Sequence, residues 1–556
     1  MNGAGLLVRG LKAAGVDQIF TLSGDHINPV YDACLDAGIR VIDLRSESAA
    51  VHAADGYARI TRHLAVAVVT GGPGHTNALT GLATAHAMGV PVLLISGSHE
   101  SALTGLGAFQ ELDQVALARP ISKWSRAVTD GRRIPEYVAL AIREALSGRP
   151  GPVHLTLPID VLSRDVEEVP PVPVPTALQG GGEADPSLVE RVLEMLREAE
   201  RPVVIVGSGA WWAGAEEELR AFIDLTHLPT FTIGLSRGLL SDDHPCCFGY
   251  ADPLLNGVAR EFPRADVILI LGKRTDYRLG FGGPRVFSPA ARVIQVDVLA
   301  EEIGRNRPVS LGLIADVRLV LRQFRQAIGT APWPERPWLA HLREVAGRWR
   351  AGLEAKETSD EVPIHPLRLC RALRELLPAA AAVAIDAGDF SQWARIALRA
   401  RRPGRWLRLG PMGTLGAAMP LALGAKAAHP DTPVVAVVGD GGFAYHSWEL
   451  HSAVRHGLPI VVVIGNDQAM GMERQIQQAL YGPHRVVGCE FGLVRYDRVV
   501  EAMGGHGEFV EKPGELRPAL ERALAAGRPA CVNVMIRGVP SPLTEASIAA
   551  KKALYR

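Results

Sequence analysis

Val434-Val-Ala-Val-Val-Gly-Asp-Gly441 and Pro459-Ile-Val-Val-Val-Ile-Gly-Asn466 are two apolar runs that flank one helical stretch, residues 446–457. Short runs of β-branched residues joined through a helix predict two buried, parallel strands of an α/β sheet. The first run ends in Gly-Asp-Gly and the second in Asn, so Asp440 and Asn466 are expected side by side at the carboxyl edge of the sheet. Open α/β sheets bind their ligands at that edge.

Two oxygen donors beside a glycine turn suit a Mg²⁺ ion that carries a diphosphate, because Mg²⁺ takes few protein oxygens together with phosphate oxygens. Gly439 and Gly441 would let the backbone approach the phosphates closely. Gly-Asp-Gly alone is also a common turn, and it is the second strand with its terminal Asn that favours the metal site.

The bulk composition bounds the class of protein. A length of 556 residues predicts about three domains, and 47% hydrophobic with 21% charged residues is typical of a soluble globular protein. Basic and acidic residues balance at 59 each, so nothing predicts nucleic acid or an anionic membrane as a partner.

The N-terminus predicts an amphipathic helix rather than a signal peptide, and no apolar run reaches the roughly 20 residues of a membrane span. Six cysteines show neither a disulfide framework nor zinc spacing, which predicts a cytoplasmic location.

Two stretches are predicted to be linkers. Residues 166–187 are rich in Pro and Gly, and residues 354–366 are polar and end near two prolines. They divide the chain into blocks 1–165, 188–330 and 363–556. Each block alternates short β-branched runs with helical stretches, so the prediction is three consecutive α/β domains with parallel sheets covered on both faces.

The first block contains two further candidate features. Glu47 opens a helix that is otherwise small and apolar, where a carboxylate either only favours the helix dipole or acts as a desolvated proton shuttle. Thr70-Gly-Gly-Pro-Gly-His-Thr-Asn77 is a glycine-rich loop between a strand and a helix, which either holds an anion or is only a tight turn.

The chain resembles the thiamine diphosphate (ThDP) enzymes of the acetolactate synthase type, and within these most of all benzaldehyde lyase. The resemblance covers nearly the whole chain. It is carried by Gly439-Asp-Gly441 to Asn466, Arg45-Ser-Glu47 through Asp55-Gly-Tyr-Ala-Arg59, Gly72 to Asn77, Ser23-Gly-Asp-His-Ile27, Asp113-Gln-Val-Ala-Leu-Ala118, Ile121-Ser-Lys-Trp124, Leu311-Gly-Leu-Ile-Ala-Asp316 and Gly482-Pro-His-Arg-Val486.

The resemblance implies a ThDP site divided between the first block, which would bind the pyrimidine, and the third, which would bind the diphosphate. The Mg²⁺ ligands would be the Asp440 and Asn466 side chains and the Gln468 carbonyl. Glu47 would hydrogen-bond the pyrimidine and start the proton transfers that activate the cofactor, and Leu415 would wedge under it. The implied cofactor contacts are Glu47, Gly74, Gly388, Asp389, Phe390, Gly413, Leu415, Gly439, Asp440, Gly441, Gly442, Asn466, Gln468 and Met470.

The resemblance also implies roles on the substrate side. His26 would relay a proton to the substrate, or would only cap a helix. Gln110 would orient a carbonyl group, or would be an exposed loop amide, and His75 either reaches the substrate or does nothing. Because Glu47 and the diphosphate site meet across a subunit interface in the family, two copies must pair, as a dimer or a dimer of dimers (a homotetramer).

Three further segments are open to more than one interpretation. The run Lys273-Arg-Thr-Asp-Tyr-Arg278 in the middle block is either solvated loop charge or a phosphate site for a nucleotide or coenzyme A. Val206-Gly-Ser-Gly209 resembles the start of a dinucleotide fingerprint, but Trp212 replaces its last glycine. The tail from Arg537 to Arg556 either closes over the site or frays.

The predicted function is a ThDP- and Mg²⁺-dependent carbon–carbon lyase or carboligase acting on small carbonyl compounds: 2-hydroxy ketones, aldehydes or 2-oxo acids. The alternatives are a 2-hydroxyacyl-CoA lyase or oxalyl-CoA-type decarboxylase, and a non-catalytic regulatory subunit with the same fold.

Overall fold

The computed structural model describes residues 1–174 and 181–554. Within these ranges the strands form three six-stranded sheets, and every strand pair is parallel. The prediction of three consecutive α/β domains is therefore confirmed. Residues 175–180 of the predicted first linker and residues 555–556 of the tail lie outside the described residues.

The sheets follow one another along the chain. The first contains β1 Gln18–Thr21, β2 Arg40–Asp43, β3 Ala65–Val69, β4 Val92–Ser98, β5 Trp124–Ala127 and β6 Val153–Pro158. The second contains β7 Pro202–Val206, β8 Thr230–Thr232, β9 Cys247–Tyr250, β10 Val267–Leu271, β11 Arg292–Asp297 and β12 Leu311–Ile314. The third contains β13 Ala382–Ile385, β14 Trp406–Arg408, β15 Val434–Gly439, β16 Val461–Asn466, β17 His506–Val510 and β18 Ala530–Met535.

The helices cover the sheets on both faces. Those before and around the first sheet are α1 Gly3–Ala13, α2 Asn28–Ala37, α3 Glu47–Thr61, α4 Pro73–Met88, α5 Gln114–Ala118, α6 Ile134–Leu146 and α7 Ile159–Ser163. Those of the middle region are α8 Pro186–Glu198, α9 Ser208–Trp212, α10 Glu216–Thr226, α11 Val317–Ile328 and α12 Pro337–Glu357. The remainder are α13 Pro366–Leu376, α14 Gly388–Ala397, α15 Ala418–Ala428, α16 Asp440–His446, α17 Glu449–His456, α18 Gly471–Tyr481, α19 Tyr496–Ala502, α20 Leu516–Ala525 and α21 Pro542–Leu554.

Strand order decides where each domain has its crevice. The first and third sheets share one order, β2-β1-β3-β4-β6-β5 and β14-β13-β15-β16-β18-β17. The direction in which successive strands are added to the sheet therefore reverses between β1 and β3 and between β13 and β15, and we call each such place a reversal point. The middle sheet has the order β12-β11-β10-β7-β8-β9, with its reversal between β7 and β10. Ligands of open α/β sheets bind outside the carboxyl ends of strands at such a reversal.

Burial on both faces explains the continuous apolar strands. Along β15, Val434, Ala436 and Val438 belong to one buried cluster, and Val435 and Val437 belong to another on the opposite face. Because successive side chains of a strand point to opposite faces, a strand buried on both sides needs an unbroken apolar run.

Small residues on α3 allow the first and third domains to pack closely. A Cβ added to Gly424 of α15 would lie 1.8 Å from the Ala53 carbonyl oxygen, and one added to Gly56 would lie 2.2 Å from the Leu421 carbonyl oxygen. The small, apolar composition of the helix that Glu47 opens is thus a requirement of packing against α15.

Some local expectations need correction. The helical stretch 446–457 is two helices, α16 and α17, with a break at residues 447–448, and α12 continues to Glu357 inside the predicted second linker. The glycine-rich loop is shorter than expected, since α4 begins at Pro73. The amphipathic N-terminal helix is confirmed as α1, and all six cysteines are buried and free. Among the described residues, no helix combines the length and apolar character that a membrane span requires.

Candidate active site

A cavity of about 960 Å³ lies at the carboxyl edge of the third sheet, outside the ends of β13, β15 and β16. Glycines after these strands leave room for it. The predicted cofactor residues that line it are Gly388, Asp389, Phe390, Gly413, Leu415, Gly439, Asp440, Gly441, Gly442 and Met470. The structure therefore brings ten predicted residues from four separate loops and helix ends into one cavity.

Two carboxylates face each other at this cavity. Asp440 is 2% exposed and its Oδ2 atom has no hydrogen-bond partner in the described residues. Burial and the neighbouring charge of Asp467 raise the pKa of Asp440 to about 7, and burial raises the pKa of Asp467 to about 6. Asp467 Oδ2 accepts a hydrogen bond from Arg474 Nη2 (2.9 Å), so Asp440 Oδ2 is the oxygen of the pair without a partner in the described residues. Because an unpaired buried carboxylate oxygen is costly, its position beside a second carboxylate fits a hard divalent ion.

Asn466 lies in a different position from the one expected. Its side chain is fully buried, donates to Asn533 Oδ1 (3.1 Å) and to the Val494 carbonyl (3.4 Å), and accepts from the Gln468 amide (3.0 Å). Neither Asn466 nor Gln468 lines the cavity, and the Gln468 carbonyl already accepts from Phe491 N (2.8 Å). Asp467 and Ala469, one residue further along in each case, line it instead.

The physical reason is the alternation of side chains along a strand. Asn466 ends β16 and is paired with Met535 of β18, so its side chain points into the sheet-helix interior. The next side chain, Asp467, points to the cavity. The sequence signal that could have identified Asp467 as the ligand was a carboxylate directly after the strand, since Mg²⁺ prefers carboxylate to amide oxygen.

Gly441 lies very close to the Met470 side chain, and Gly442 lies at ordinary contact distance from Leu415. A Cβ on Gly441 would lie 2.6 Å from Met470 Sδ, and one on Gly442 would lie 3.5 Å from Leu415 Cδ1. Leu415 thus lies on the cavity wall beside α16.

Glu47 occupies the first position of α3, behind the N-cap Ser46, as predicted. Its carboxylate is 7% exposed, and Oε2 accepts a hydrogen bond from Asn77 Nδ2 (3.1 Å). A Cβ on Gly74 would lie 3.4 Å from Glu47 Oε1. The structure therefore brings Glu47 and Gly74 together at the carboxyl edge of the first sheet.

His26 lies at the same edge and does not cap a helix. Its Nδ1 atom is 2.9 Å from Thr70 Oγ1 and accepts from the Gly71 amide (3.4 Å). Burial lowers the pKa of His26, so the ring is neutral near pH 7. Since an N–H group can only donate, Nδ1 is the acceptor and the proton sits on Nε2.

Gln110 and His75 have contrasting surroundings. Gln110 adopts a left-handed backbone conformation (φ 60°), packs its Cβ against Gly72, and makes no side-chain hydrogen bond within the described residues. His75 is fully buried, with Nδ1 2.9 Å from Ser96 Oγ, and burial lowers its pKa to about 4. His75 therefore belongs to the interior of the domain, whereas Gln110 is half-buried at the sheet edge.

The two groups of predicted residues do not share a cavity. Every residue that lines the third-domain cavity lies between Pro366 and Val539, whereas Glu47, Gly74, His26 and Gln110 cluster at the edge of the first sheet. One chain thus carries two separate groups of predicted residues, which we call the half-sites.

Comparison with known proteins supports this division. Residues 1–117 match the family model described as the thiamine pyrophosphate enzyme N-terminal TPP binding domain, residues 189–324 match the central domain, and residues 386–534 match the C-terminal TPP binding domain. The chain belongs to the thiamine pyrophosphate enzyme family. Thiamine pyrophosphate, or ThDP, is accordingly its cofactor, and the protein is an enzyme of the lyase or transferase type.

Its relatives include enzymes with two kinds of name. An acetolactate synthase large subunit of Mycobacterium tuberculosis is 37% identical over 544 residues, which cover 96% of each chain. A probable acetolactate synthase large subunit of Methanocaldococcus jannaschii is 31% identical, over 96% of this chain and 92% of the relative. A 2-hydroxyacyl-CoA lyase of Oryza sativa is 32% identical, over 96% of this chain and 95% of the relative.

The tail of this thiamine pyrophosphate enzyme is ordered beside the third-domain cavity. Arg537, Gly538 and Val539 line the cavity, and α21 follows. Asp389 Oδ1 accepts hydrogen bonds from Ser541 N (2.9 Å) and from the Thr544 hydroxyl. The described part of the tail therefore packs against the first turn of α14 rather than fraying.

A second cavity, of about 1250 Å³, lies at the reversal point of the middle sheet. Its wall includes Gly209 and Trp212 after β7 and the run Lys273, Arg274, Asp276, Tyr277 and Arg278 after β10. Lys273 is 8% exposed, so the expectation of solvated loop charge is wrong for that residue. The run forms the wall of a crevice of the type that binds nucleotides.

Arg408 places an unpaired positive charge in that second cavity. It is 7% exposed, donates to the carbonyl groups of Ile385 and Asp386, and has no carboxylate partner among the described residues. Burial lowers its pKa to about 9. Within the described part of the chain, Arg274 donates only to the Ala87 carbonyl (2.8 Å). Two guanidinium groups without a carboxylate partner fit an anionic ligand. Sequence patterns did not single out Arg408, because it comes from the edge of another sheet.

Glu449 joins the first and third domains of one chain through a buried carboxylate. It is 1% exposed and accepts from Arg45 N (3.0 Å) and Ser452 Oγ (2.9 Å). Burial raises the pKa of Glu449 to about 7 from an ordinary value of 4.5.

This raised pKa predicts a pH-dependent stability. The stabilising contribution of protonated Glu449 is complete below about pH 4.5 and is lost as the pH rises through about 7, a change on the order of 3 kcal/mol. Glu449→Gln stays neutral, so its thermal midpoint should exceed that of the wild type at pH 8 and approach it at pH 5. If the thermal midpoints of both proteins changed with pH to the same extent, the raised pKa of Glu449 would be contradicted.

Proposed function

We propose that this chain is a ThDP- and Mg²⁺-dependent carbon–carbon lyase or carboligase that acts on 2-hydroxy ketones, aldehydes or 2-oxo acids. The observation that carries the proposal is the buried Asp440–Asp467 pair, with an unpartnered carboxylate oxygen, on a glycine-lined cavity at the reversal point of a parallel sheet.

Asp440, Asp467 and the Ala469 carbonyl are the oxygen ligands we assign to the metal, with diphosphate oxygens completing its shell. Gly388 and Asp389, in the first turn of α14, line the cavity, and we assign the free amide groups of this helix N-terminus to the binding of a phosphate group. When bound, ThDP supplies a nucleophilic carbon and an electron sink. Leu415 gives the cofactor rings an apolar support.

The first-domain residues handle protons and orient the substrate. Glu47 holds or releases a proton at its carboxylate, which Asn77 orients through Oε2. The neutral His26 ring offers its Nε2–H to a substrate oxygen, and Gln110 offers an amide without another partner to a carbonyl group.

The active site requires two copies of the chain. Beside Gln110, Leu106 is 75% and Phe109 is 81% exposed, and beyond Asp440, Tyr445 is 62% and Trp448 is 64% exposed. Large apolar side chains exposed near both half-sites favour a partner surface. We propose that the first-domain edge of one copy covers the third-domain cavity of the other, in a dimer or a dimer of dimers.

Subunit mixing tests this pairing. Glu47→Gln disables one half-site and Asp440→Ala the other, so each variant alone should be inactive. Exchanged in equal amounts, they should recover about a quarter of the wild-type activity, because half of the dimers are then mixed and each keeps one intact site. A mixture as inactive as its components, with exchange verified by mass spectrometry, would place both half-sites in one chain.

A second candidate function is a 2-hydroxyacyl-CoA lyase. The specific observation in its favour is the basic middle-domain cavity, where Arg274 and Arg408 lack carboxylate partners. Coenzyme A carries an adenine nucleotide whose phosphates such groups would bind.

One substrate panel distinguishes the two candidates. The holoenzyme with ThDP and Mg²⁺ is given benzoin, pyruvate, aldehydes and 2-hydroxyacyl-CoA thioesters, and products are read by mass spectrometry. If CoA thioesters are the substrates, Arg408→Met and Arg274→Ala should each weaken ADP and CoA binding about 10- to 100-fold. Arg285→Ala, an exposed arginine outside the cavity, is the control. Preferred turnover of free aldehydes and 2-oxo acids rejects the second candidate, and inactivity on the whole panel rejects both.

The predicted cytoplasmic location rests on the free cysteines and stays a prediction.

A further inference from the structure

Gln114 begins α5 and lies directly behind the Gly71–Gly72 turn of the first domain. Its side chain is 2% exposed and fully hydrogen-bonded. Oε1 accepts from Gly72 N (3.0 Å), and Nε2 donates to the Gly97 carbonyl (3.1 Å) and to Thr156 Oγ1 (3.3 Å). Because the Gly97 carbonyl can only accept and the Gly72 amide can only donate, the orientation of the Gln114 amide is fixed.

These bonds join three different parts of the sheet edge. Gly72 follows β3, Gly97 lies in β4 and Thr156 lies in β6. A glutamine that only filled space in the core would not need a donor and an acceptor matched to three separate elements.

The other side of the turn contacts both substrate-side residues. Gly71 N donates to His26 Nδ1 (3.4 Å), and a Cβ added to Gly72, whose φ is 58°, would lie 2.7 Å from Gln110 Cβ. Gly97 is equally close to His26, since a Cβ added there would lie 2.6 Å from His26 Cβ. The turn is therefore a thin layer between Gln114 and the groups expected to meet the substrate.

We propose that Gln114 is a positioning residue that holds the Gly71–Gly72 turn so that His26 keeps its proton on Nε2 and Gln110 keeps its orientation. This inference rests on the proposed roles of His26 and Gln110. Without the Gln114 oxygen, the Gly72 amide loses its acceptor and the turn shifts. Gly71 N then leaves His26 Nδ1, and the proton is free to occupy either ring nitrogen.

The titratable groups around this amide do not supply a competing pH effect. His26, His75 and His154 face it from three elements, and burial lowers the pKa of each. Asp113, at the preceding position, accepts from Ala116 N at the start of α5.

Gln114→Glu provides the sharpest test. The new carboxyl group can donate to the Gly97 carbonyl only while protonated, and its burial favours that neutral form. The activity of Gln114→Glu should therefore approach that of the wild type at low pH and fall as the pH rises. Its pH–activity profile should show a descending limb that the wild-type profile lacks. A wild-type pH profile in this variant would overturn the proposal.

A double-mutant cycle separates positioning from folding. Gln114→Ala should lower kcat on the order of 100-fold when it is assayed well below its thermal midpoint, which the loss of buried hydrogen bonds also reduces. In a His26→Ala background the same change should cost much less, because the residue through which it acts is gone. Thr156→Val, which removes the third bond but neither backbone contact, should keep near-normal kcat. Fully additive effects would assign Gln114 a general structural role.

A crystal structure of Gln114→Ala distinguishes a failure of this inference from a failure of the proposed function. The distance from Gly71 N to His26 Nδ1 should increase beyond hydrogen-bonding range whether or not the substrate panel gives activity. An unchanged turn would refute the positioning role even in an active enzyme. Inactivity of the wild type with a displaced turn in the variant would instead refute the proposed function.

Discussion

Asp467→Ala is expected to abolish Mg²⁺-dependent binding of ThDP, as is Asp440→Ala, with affinity falling more than about 100-fold in each. The two carboxylates face each other at the cofactor cavity, and Asp440 Oδ2 has no partner among the described residues. Removing either one takes away both an oxygen ligand and a charge that balances the cation. Isothermal titration of ThDP at saturating Mg²⁺ gives the affinity directly.

Two matched variants sharpen this prediction. Asp467→Asn retains one oxygen of similar position and should bind the cofactor weakly, between the wild type and Asp467→Ala. Asn466→Ala removes the hydrogen bond to Asn533 (3.1 Å) and should lower the thermal midpoint while the folded protein still binds ThDP. If Asn466→Ala lost the cofactor and Asp467→Ala kept it, the metal would belong to Asn466 after all.

Glu47→Gln should lower kcat by about 100- to 10,000-fold while ThDP binding changes little. The glutamine side chain has the same shape and can still form a hydrogen bond, but it cannot hold and release a proton. Among the residues that the structure describes, the Glu47 carboxylate has one side-chain partner, Asn77, and a neutral amide can replace that contact. Steady-state kinetics on the best substrate of the panel, together with ThDP titration, separates the loss of proton transfer from a loss of binding.

Asn77→Ala is the companion variant for this measurement. It leaves the Glu47 carboxylate in place but removes the donor that orients it, so its effect on kcat should be smaller than that of Glu47→Gln. Undiminished activity in Glu47→Gln would show that this carboxylate takes no part in proton transfer, and would reduce its role to favouring the dipole of α3.

Much of the architecture could be predicted from local patterns. The apolar runs that became β15 and β16 are unbroken because both faces of the sheet are buried, and the helix signal between them implied a parallel pair. The carboxyl ends of parallel strands meet at one edge of a sheet, so the position of Asp440 at the ligand-binding edge could be predicted from the sequence alone. Glu47 could likewise be assigned to the first turn of α3.

The error at Asn466 shows the limit of that reasoning. One residue of register decides whether a side chain points to the cavity or to the interior, and the end of a strand is the least certain part of a pattern. The backbone beyond β16 turns so that Asp467 and Ala469 face the cavity, with Gln468 in a left-handed conformation (φ 60°). The buried partner of Asn466, Asn533, is 67 residues away along the chain and could not be inferred from spacing.

The amino-acid sequence by itself determined the three parallel sheets, the edge of each that binds ligands, and the chemical types of residue available there. These follow from periodicity and turn composition, which act over a few residues. Only the tertiary structure decided that Asp467 rather than Asn466 meets Asp440, that Arg408 reaches the middle-domain cavity, and that Gln114 supports the turn behind His26. Such contacts join residues far apart in the chain, and their geometry depends on how whole sheets and helices pack.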